Sequence, residues 1–155
     1  MSGQGRRRQR SVTTQAPAHA AIEHSMSGNE IRRLDRGALT EAYGVASQRL
    51  LPWAALSAPF EGAWCVLGPG AASHAHAHHE HELFIAIAGS AVLDVDGRER
   101  EFRAGDLACL APGSTHHVRN TGDGDFEWYA IWWDTEMSAA FTARHGASAG
   151  QGTRS

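Results

Sequence analysis

The chain contains no lysine; all 14 of its basic residues are arginine. That absence excludes mechanisms built on an amine side chain: Schiff-base formation, pyridoxal phosphate attachment and the lysine of a phosphate-binding loop. Cysteine is nearly missing too. Cys65 and Cys109 are too few for a secreted disulfide scaffold, so a reduced, cytoplasmic protein is expected. No apolar run approaches the about 18 residues that a helical membrane span needs. No N-terminal segment has the charged-then-apolar pattern of a signal peptide. A chain of 155 residues has room for one domain. At that size a core can bury roughly two-thirds of the unfolded surface without disulfides.

Charge is unevenly spread. Residues 1–25 carry Arg6, Arg7, Arg8 and Arg10 against Glu23 alone, and almost no large apolar side chains. Such a segment cannot offset its ordering entropy by burial. It reads as a disordered basic tail, or as an extension ahead of a true start at Met26. Residues 146–155 read as a disordered C-terminal tail. The remaining residues, 26–145, form the expected domain. From Met26 onward ten arginines face 16 acids, a net of −6. An acidic domain without a basic face is a poor nucleic-acid binder.

After Met26 turn signals recur every 8–12 residues. Strand-like stretches lie between them at Ile31–Leu34, Ala63–Leu67, His74–Ala88, Ala91–Val95, Glu99–Phe102, Leu107–Leu110, His116–Arg119 and Phe126–Trp133. Asp96-Gly97 between alternating runs is a strong hairpin signal. Many short strands with regular turns predict an all-β sandwich or barrel. Helix is expected at 37–50, where Leu39, Tyr43, Ala46 and Leu50 recur at three to four residues, and at about 135–144. Cys65 and Cys109 fall in apolar strands and are expected to be inert core residues.

Histidine is what the sequence has in excess: 10 in all, with five of them (His74, His76, His78, His79, His81) inside eight residues. In a strand, residues two apart share a face. His74, His76, His78, Glu80 and Glu82 would then line one side, with His79 and His81 on the other. The strand continues into Leu83–Ala88, apolar on both faces, so it is expected to be central. Imidazoles and a carboxylate entering a core are costly unless something satisfies them, and a metal ion does so.

Two ordered motifs carry a family resemblance. Gly70-x5-His76-x-His78-x3-Glu82-x6-Gly89 fits the first cupin motif at every position. Gly105-Asp106-x4-Ala111-Pro112-Gly113-x2-His116-x3-Asn120 resembles the second, with Ala111 where the family usually has proline. The sequence therefore resembles small single-domain cupins over about residues 60–134. The resemblance implies a double-stranded β-helix, or jelly-roll barrel, with short flanking helices. It implies four metal ligands: His76, His78, Glu82 and His116. Three imidazoles and a carboxylate suit a divalent Fe, Mn, Ni, Cu or Zn ion. Small cupins commonly dimerise through their sheets, so a homodimer is expected, with one face of Phe126–Trp133 at the interface.

The histidine run allows a slipped register, Gly68-x5-His74-x-His76-x3-Glu80. Only the first register ends on a glycine at the turn, Gly89, where a backbone reason for glycine exists. His74 and Glu80 then fall at the pocket rim. Glu80, His74 and Tyr129 are candidates for proton transfer, and Phe84 or Trp132 could shape a substrate pocket. The resemblance implies a metal-dependent enzyme acting on a small molecule, of dioxygenase, isomerase, lyase or cyclase type. Two alternatives stand beside it. One is a non-catalytic ligand-binding or accessory cupin. The other rests on His78–Phe84 and Trp128–Asp134, which look like the cupin component of hydrazine-forming enzymes that pair with a methionyl-tRNA-synthetase-like domain.

Overall fold

The structure, a computed structural model, describes residues 30–56 and 58–145. The expected tails, residues 1–25 and 146–155, lie outside the described residues. Strands run at β1 (Thr40–Ala42), β2 (Val45–Arg49), β3 (Glu61–Leu67), β4 (His81–Ala88), β5 (Ser90–Val95), β6 (Arg98–Arg103), β7 (Leu107–Leu110), β8 (His116–Arg119) and β9 (Phe126–Trp133). Helix α1 follows at Thr135–His145. One antiparallel sheet has the order β1-β2-β3-β9-β4-β7 and faces a second, β6-β5-β8. This is a jelly-roll barrel. No helix among the described residues is long and apolar enough to cross a membrane.

Alternation decides which side chains enter the barrel. Ala63, Cys65 and Leu67 of β3, Phe84 and Ala86 of β4, and Phe126, Trp128 and Ala130 of β9 form the core with Leu93, Phe102 and Val118 from the other sheet. Phe126, Leu67 and Val118 are fully buried, and each such side chain contributes roughly 1.5–3 kcal/mol. Glu61 pairs with Trp132, and Trp132 with Glu82. This row forms one end of the barrel, and Leu67 beside Phe126 forms the other. The base is apolar and the mouth is polar.

The turns explain the tight connections. Asp96 and Gly97 have φ of 52° and 77°, the left-handed pair that a two-residue hairpin turn requires. Gly89 has φ +76°, and a Cβ there would lie 2.6 Å from the Asp125 carbonyl oxygen. Backbone conformation and close approach both demand glycine.

Four expectations need correction. Residues 37–50 are not a helix. Apart from a 3-10 turn at Arg36–Ala38 they form the β1–β2 hairpin, turning through Tyr43 and Gly44, both with positive φ. Val45 and Ser47 alternate into the interior, a period of two that the apolar residues at three-to-four spacing concealed. Ile31–Leu34 is not a strand, and Ile31 is 96% exposed. The strand expected from His74 begins only at His81. Cys109 is exposed, on the outward side of β7, while Cys65 is buried.

Candidate metal centre

The segment from Ala71 to Glu80 is a loop that runs antiparallel beside β8, with Ala71 bonded to Asn120, Ser73 to Val118 and His76 to His116. His76 exchanges both backbone hydrogen bonds with His116, at 3.2 and 2.9 Å. That bridge places a loop histidine beside the first residue of β8. The ring centroids of His76 and His116 are 4.5 Å apart, and those of His78 and His116 are 5.3 Å apart. One nitrogen from each of His76, His78 and His116 lies within 4.8 Å of the other two. Glu82, the second residue of β4, is buried and points into the same space. Its Oε2 lies 3.2 Å from His78 Nε2 and 3.1 Å from His116 Nε2.

In His76 and His116 the second ring nitrogen fixes the tautomer. Nδ1 of His76 lies 3.0 Å from the His74 carbonyl, and Nδ1 of His116 lies 3.0 Å from the Ser114 carbonyl. A carbonyl only accepts, so both Nδ1 atoms carry the hydrogen and both Nε2 atoms keep a lone pair. His116 Nε2 is buried without an aligned hydrogen-bond partner and faces a carboxylate oxygen. Two electron-rich atoms at that distance repel unless a cation lies between them. A proton can serve: burial opposes charge on His116, but the adjoining Glu82 carboxylate and the Ser114 carbonyl outweigh it and raise its pKa. A divalent metal serves better, since it can engage all the convergent donors together. The residues present fit such an ion.

Three other sequence candidates have different positions. Glu80 lies behind His78, its Oε2 3.1 Å from Nδ1. It faces His78 from the side opposite Glu82, the usual place of a carboxylate that supports a metal-binding histidine, although Nδ1 has no aligned hydrogen-bond partner there. His74 is exposed, with its ring against Gly44 and its backbone N–H donating to Tyr43 at 2.7 Å. Tyr129 is on the outer face of the sheet, opposite Trp64 in the strand pairing and with its ring beside Gly62. That face is turned away from the imidazoles, so Tyr129 is not placed to transfer a proton at this site.

The floor and walls are aromatic. Phe84 meets His116 edge-on at 5.9 Å between centroids. Trp128 and Phe126 stack below it, closing the base to water. Sequence reasoning missed Tyr43, whose ring lies nearly parallel to that of His76 at 5.2 Å. The Tyr43-Gly44 dipeptide was the available signal for the turn that brings it there. A separate cleft of about 330 Å³ under α1, lined by Phe60, Trp133 and Met137 among others, holds none of the clustered imidazoles.

Cys65 lies on the interior floor. Burial, together with the Glu82 charge, pushes its thiol up to about 12, and Arg49 offsets this in part. At about pH 8 only about one molecule in ten thousand would then carry a thiolate at Cys65, and the thiolate is the reactive form. A disulfide-exchange reagent should therefore titrate one thiol, Cys109, in the native protein, and Cys65 only after unfolding. Two equally fast thiols would show that the floor is open.

The comparisons with known proteins agree with this geometry. The family model described as "Cupin domain" matches residues 63–132. The chain is similar to a solved cupin 2 conserved barrel domain protein from Salinispora arenicola, with 50% identity and a TM-score of 0.67 over 76% of this chain and 98% of that one. It is also similar to a Photorhabdus luminescens protein, with 40% identity and a TM-score of 0.67 over 75% of this chain and 97% of that one. A cupin-like protein from Thermotoga maritima shares the fold at 19% identity and a TM-score of 0.57, over 69% and 84% of the two chains. None of the curated proteins compared matches. With half of the aligned residues shared across nearly the whole length of a cupin barrel, and with the imidazoles gathered at the mouth of its own, this chain belongs to the cupin family as a small single-barrel member.

Proposed function

We propose that this cupin is a metal-dependent enzyme acting on a small molecule, with His76, His78, Glu82 and His116 as the metal ligands. The observation that carries this reading is the shared carboxylate oxygen of Glu82. It faces the Nε2 atoms of two imidazoles at 3.2 and 3.1 Å, at the polar mouth of the barrel. A closed structural site would use all its positions for protein ligands. Four donors leave positions on an octahedral ion for a substrate. When bound, a divalent transition metal supplies Lewis acidity or redox chemistry there. The chain's own residues do the rest. The His74 and Ser114 carbonyls orient two of the imidazoles, and Glu80 faces the third. Phe84 and Trp128 keep water from the floor, and Tyr43 walls one side.

Metal analysis of the purified protein should find about one divalent ion per chain, as four convergent donors predict. With Co(II) as reporter, the bidentate probe acetohydroxamate should displace exchangeable water and change the visible spectrum. A Co(II) centre indifferent to the probe is saturated by protein, and the accessory or structural reading then takes the place of the enzyme.

A further inference from the structure

Among the described residues, the barrel mouth holds an arginine that the metal centre does not use. Arg49 is the last residue of β2 and pairs with Ala63, a core residue, so its side chain starts on the interior side of the sheet. The guanidinium then reaches across β3 to lie over the Trp132 ring, 4.7 Å from its centroid. Trp132 is the direct strand partner of Glu82, and neighbouring strands are about 4.8 Å apart. Arg49 is thus held above the residue beside a proposed metal ligand. The buried Cys65 thiol feels the charges of both Arg49 and Glu82.

An arginine here is under-used. Its Nη2 donates to Glu61 Oε2 at 3.0 Å. Glu61 is otherwise occupied: its Oε1 accepts from the backbone N–H groups of Leu51 and Gly62. Among the described residues no other acceptor meets the Arg49 guanidinium, leaving Nη1 and Nε as donors. Half the Arg49 side chain is open to solvent. Stacking on the indole and pairing with Glu61 fix its plane, so little freedom is lost when an anion docks. The other charged groups around the metal centre, Glu80 and Glu82, are carboxylates and repel an anion.

We propose that Arg49 and Trp132 form a carboxylate subsite, so that the small molecule meeting the metal carries a separate acidic group that Arg49 recognises. The subsite deepens the metal-enzyme reading and rests on it. A pair of probes with the same metal-binding head separates the two ideas. Acetohydroxamate has no pendant charge, and succinohydroxamate adds one carboxylate. On the Co(II)-loaded protein, titrated by its visible spectrum, succinohydroxamate should bind about tenfold more tightly, as expected for one charge-assisted bond to arginine. Arg49→Gln should erase that preference and leave acetohydroxamate binding unchanged. Arg49→Lys should restore part of it. The melting temperature checks that each variant folds; Arg49 is half exposed and Glu61 keeps the N–H groups of Leu51 and Gly62, so loss of the pair should move it little. If acetohydroxamate binds but neither the preference nor the Arg49→Gln effect appears, the subsite is overturned and the metal reading survives. If acetohydroxamate itself leaves the spectrum unchanged, the open metal centre fails and the subsite goes with it.

Discussion

His76→Ala should lose metal by far more than His74→Ala. Alanine at 76 removes an imidazole that belongs to the 4.8 Å cluster and breaks its stacking on Tyr43. Alanine at 74 removes an exposed ring that packs on the hairpin tip; the His74 carbonyl that orients His76 belongs to the backbone and survives. Glu80→Gln is the useful intermediate case. Glu80 lies behind His78, 3.1 Å from Nδ1, and where a carboxylate there supports a metal-bound imidazole its loss costs about 10–100-fold in metal affinity. His76→Ala should exceed that range, and His74→Ala should fall below it. Competition against a chelator of known affinity measures all three. Equal losses at 74 and 76, or a worse loss at 74, would move the site to the slipped register.

The contrast between these residues shows what the sequence could and could not convey. The two motifs carried the clustering because their glycines have a local cause: Gly70, Gly89, Gly105 and Gly113 all have positive φ, and a requirement of that kind is visible in one residue type. The Asp96-Gly97 turn was legible for the same reason. The roles of His74 and Glu80 were not. Alternation placed them on one face with His76 and His78, but the rule presumes a strand, and the chain from Ala71 to Glu80 is a loop pinned at single bridges. Arg49 was hidden by another non-local effect. Its neighbours Leu50 and Ala46 suggested a helical stripe, and only pairing with β3, across a turn, reveals that Arg49 faces inward. The same limit hid Tyr43. Its importance comes from the His76 ring that it meets, 33 positions further along the chain.

Removing the metal should lower the melting temperature by roughly 10–20 °C and leave a folded protein. An ion present at about 1,000 times its dissociation constant adds roughly 4 kcal/mol to the native state, which corresponds to such a shift in a domain of this size. The apo protein should nevertheless stay folded, because the strongest packing is elsewhere. Phe126, Leu67 and Val118 are fully buried, and Phe126 pairs with Leu67 at the end opposite the Glu61–Trp132–Glu82 row. A small domain built on a structural zinc ion unfolds instead when the ion is taken away. The gap between metal-loaded and metal-free protein should also widen with pH, and the sign follows from His116. Its pKa is raised in the folded state; burial opposes the charge, but the Glu82 and Ser114 interactions outweigh it. The stability gained from that proton is complete below the unfolded value of about 6.5 and is lost as pH rises through the folded value. The metal displaces the same proton, so it competes poorly at low pH and freely at high pH. Melting curves with and without a chelator, taken at about pH 6 and about pH 8, should show the larger difference at the higher pH. A gap that does not change with pH would mean that His116 releases no proton on binding and is not a ligand. An unfolded apo protein would mean that the ion, rather than the apolar base, holds the barrel together.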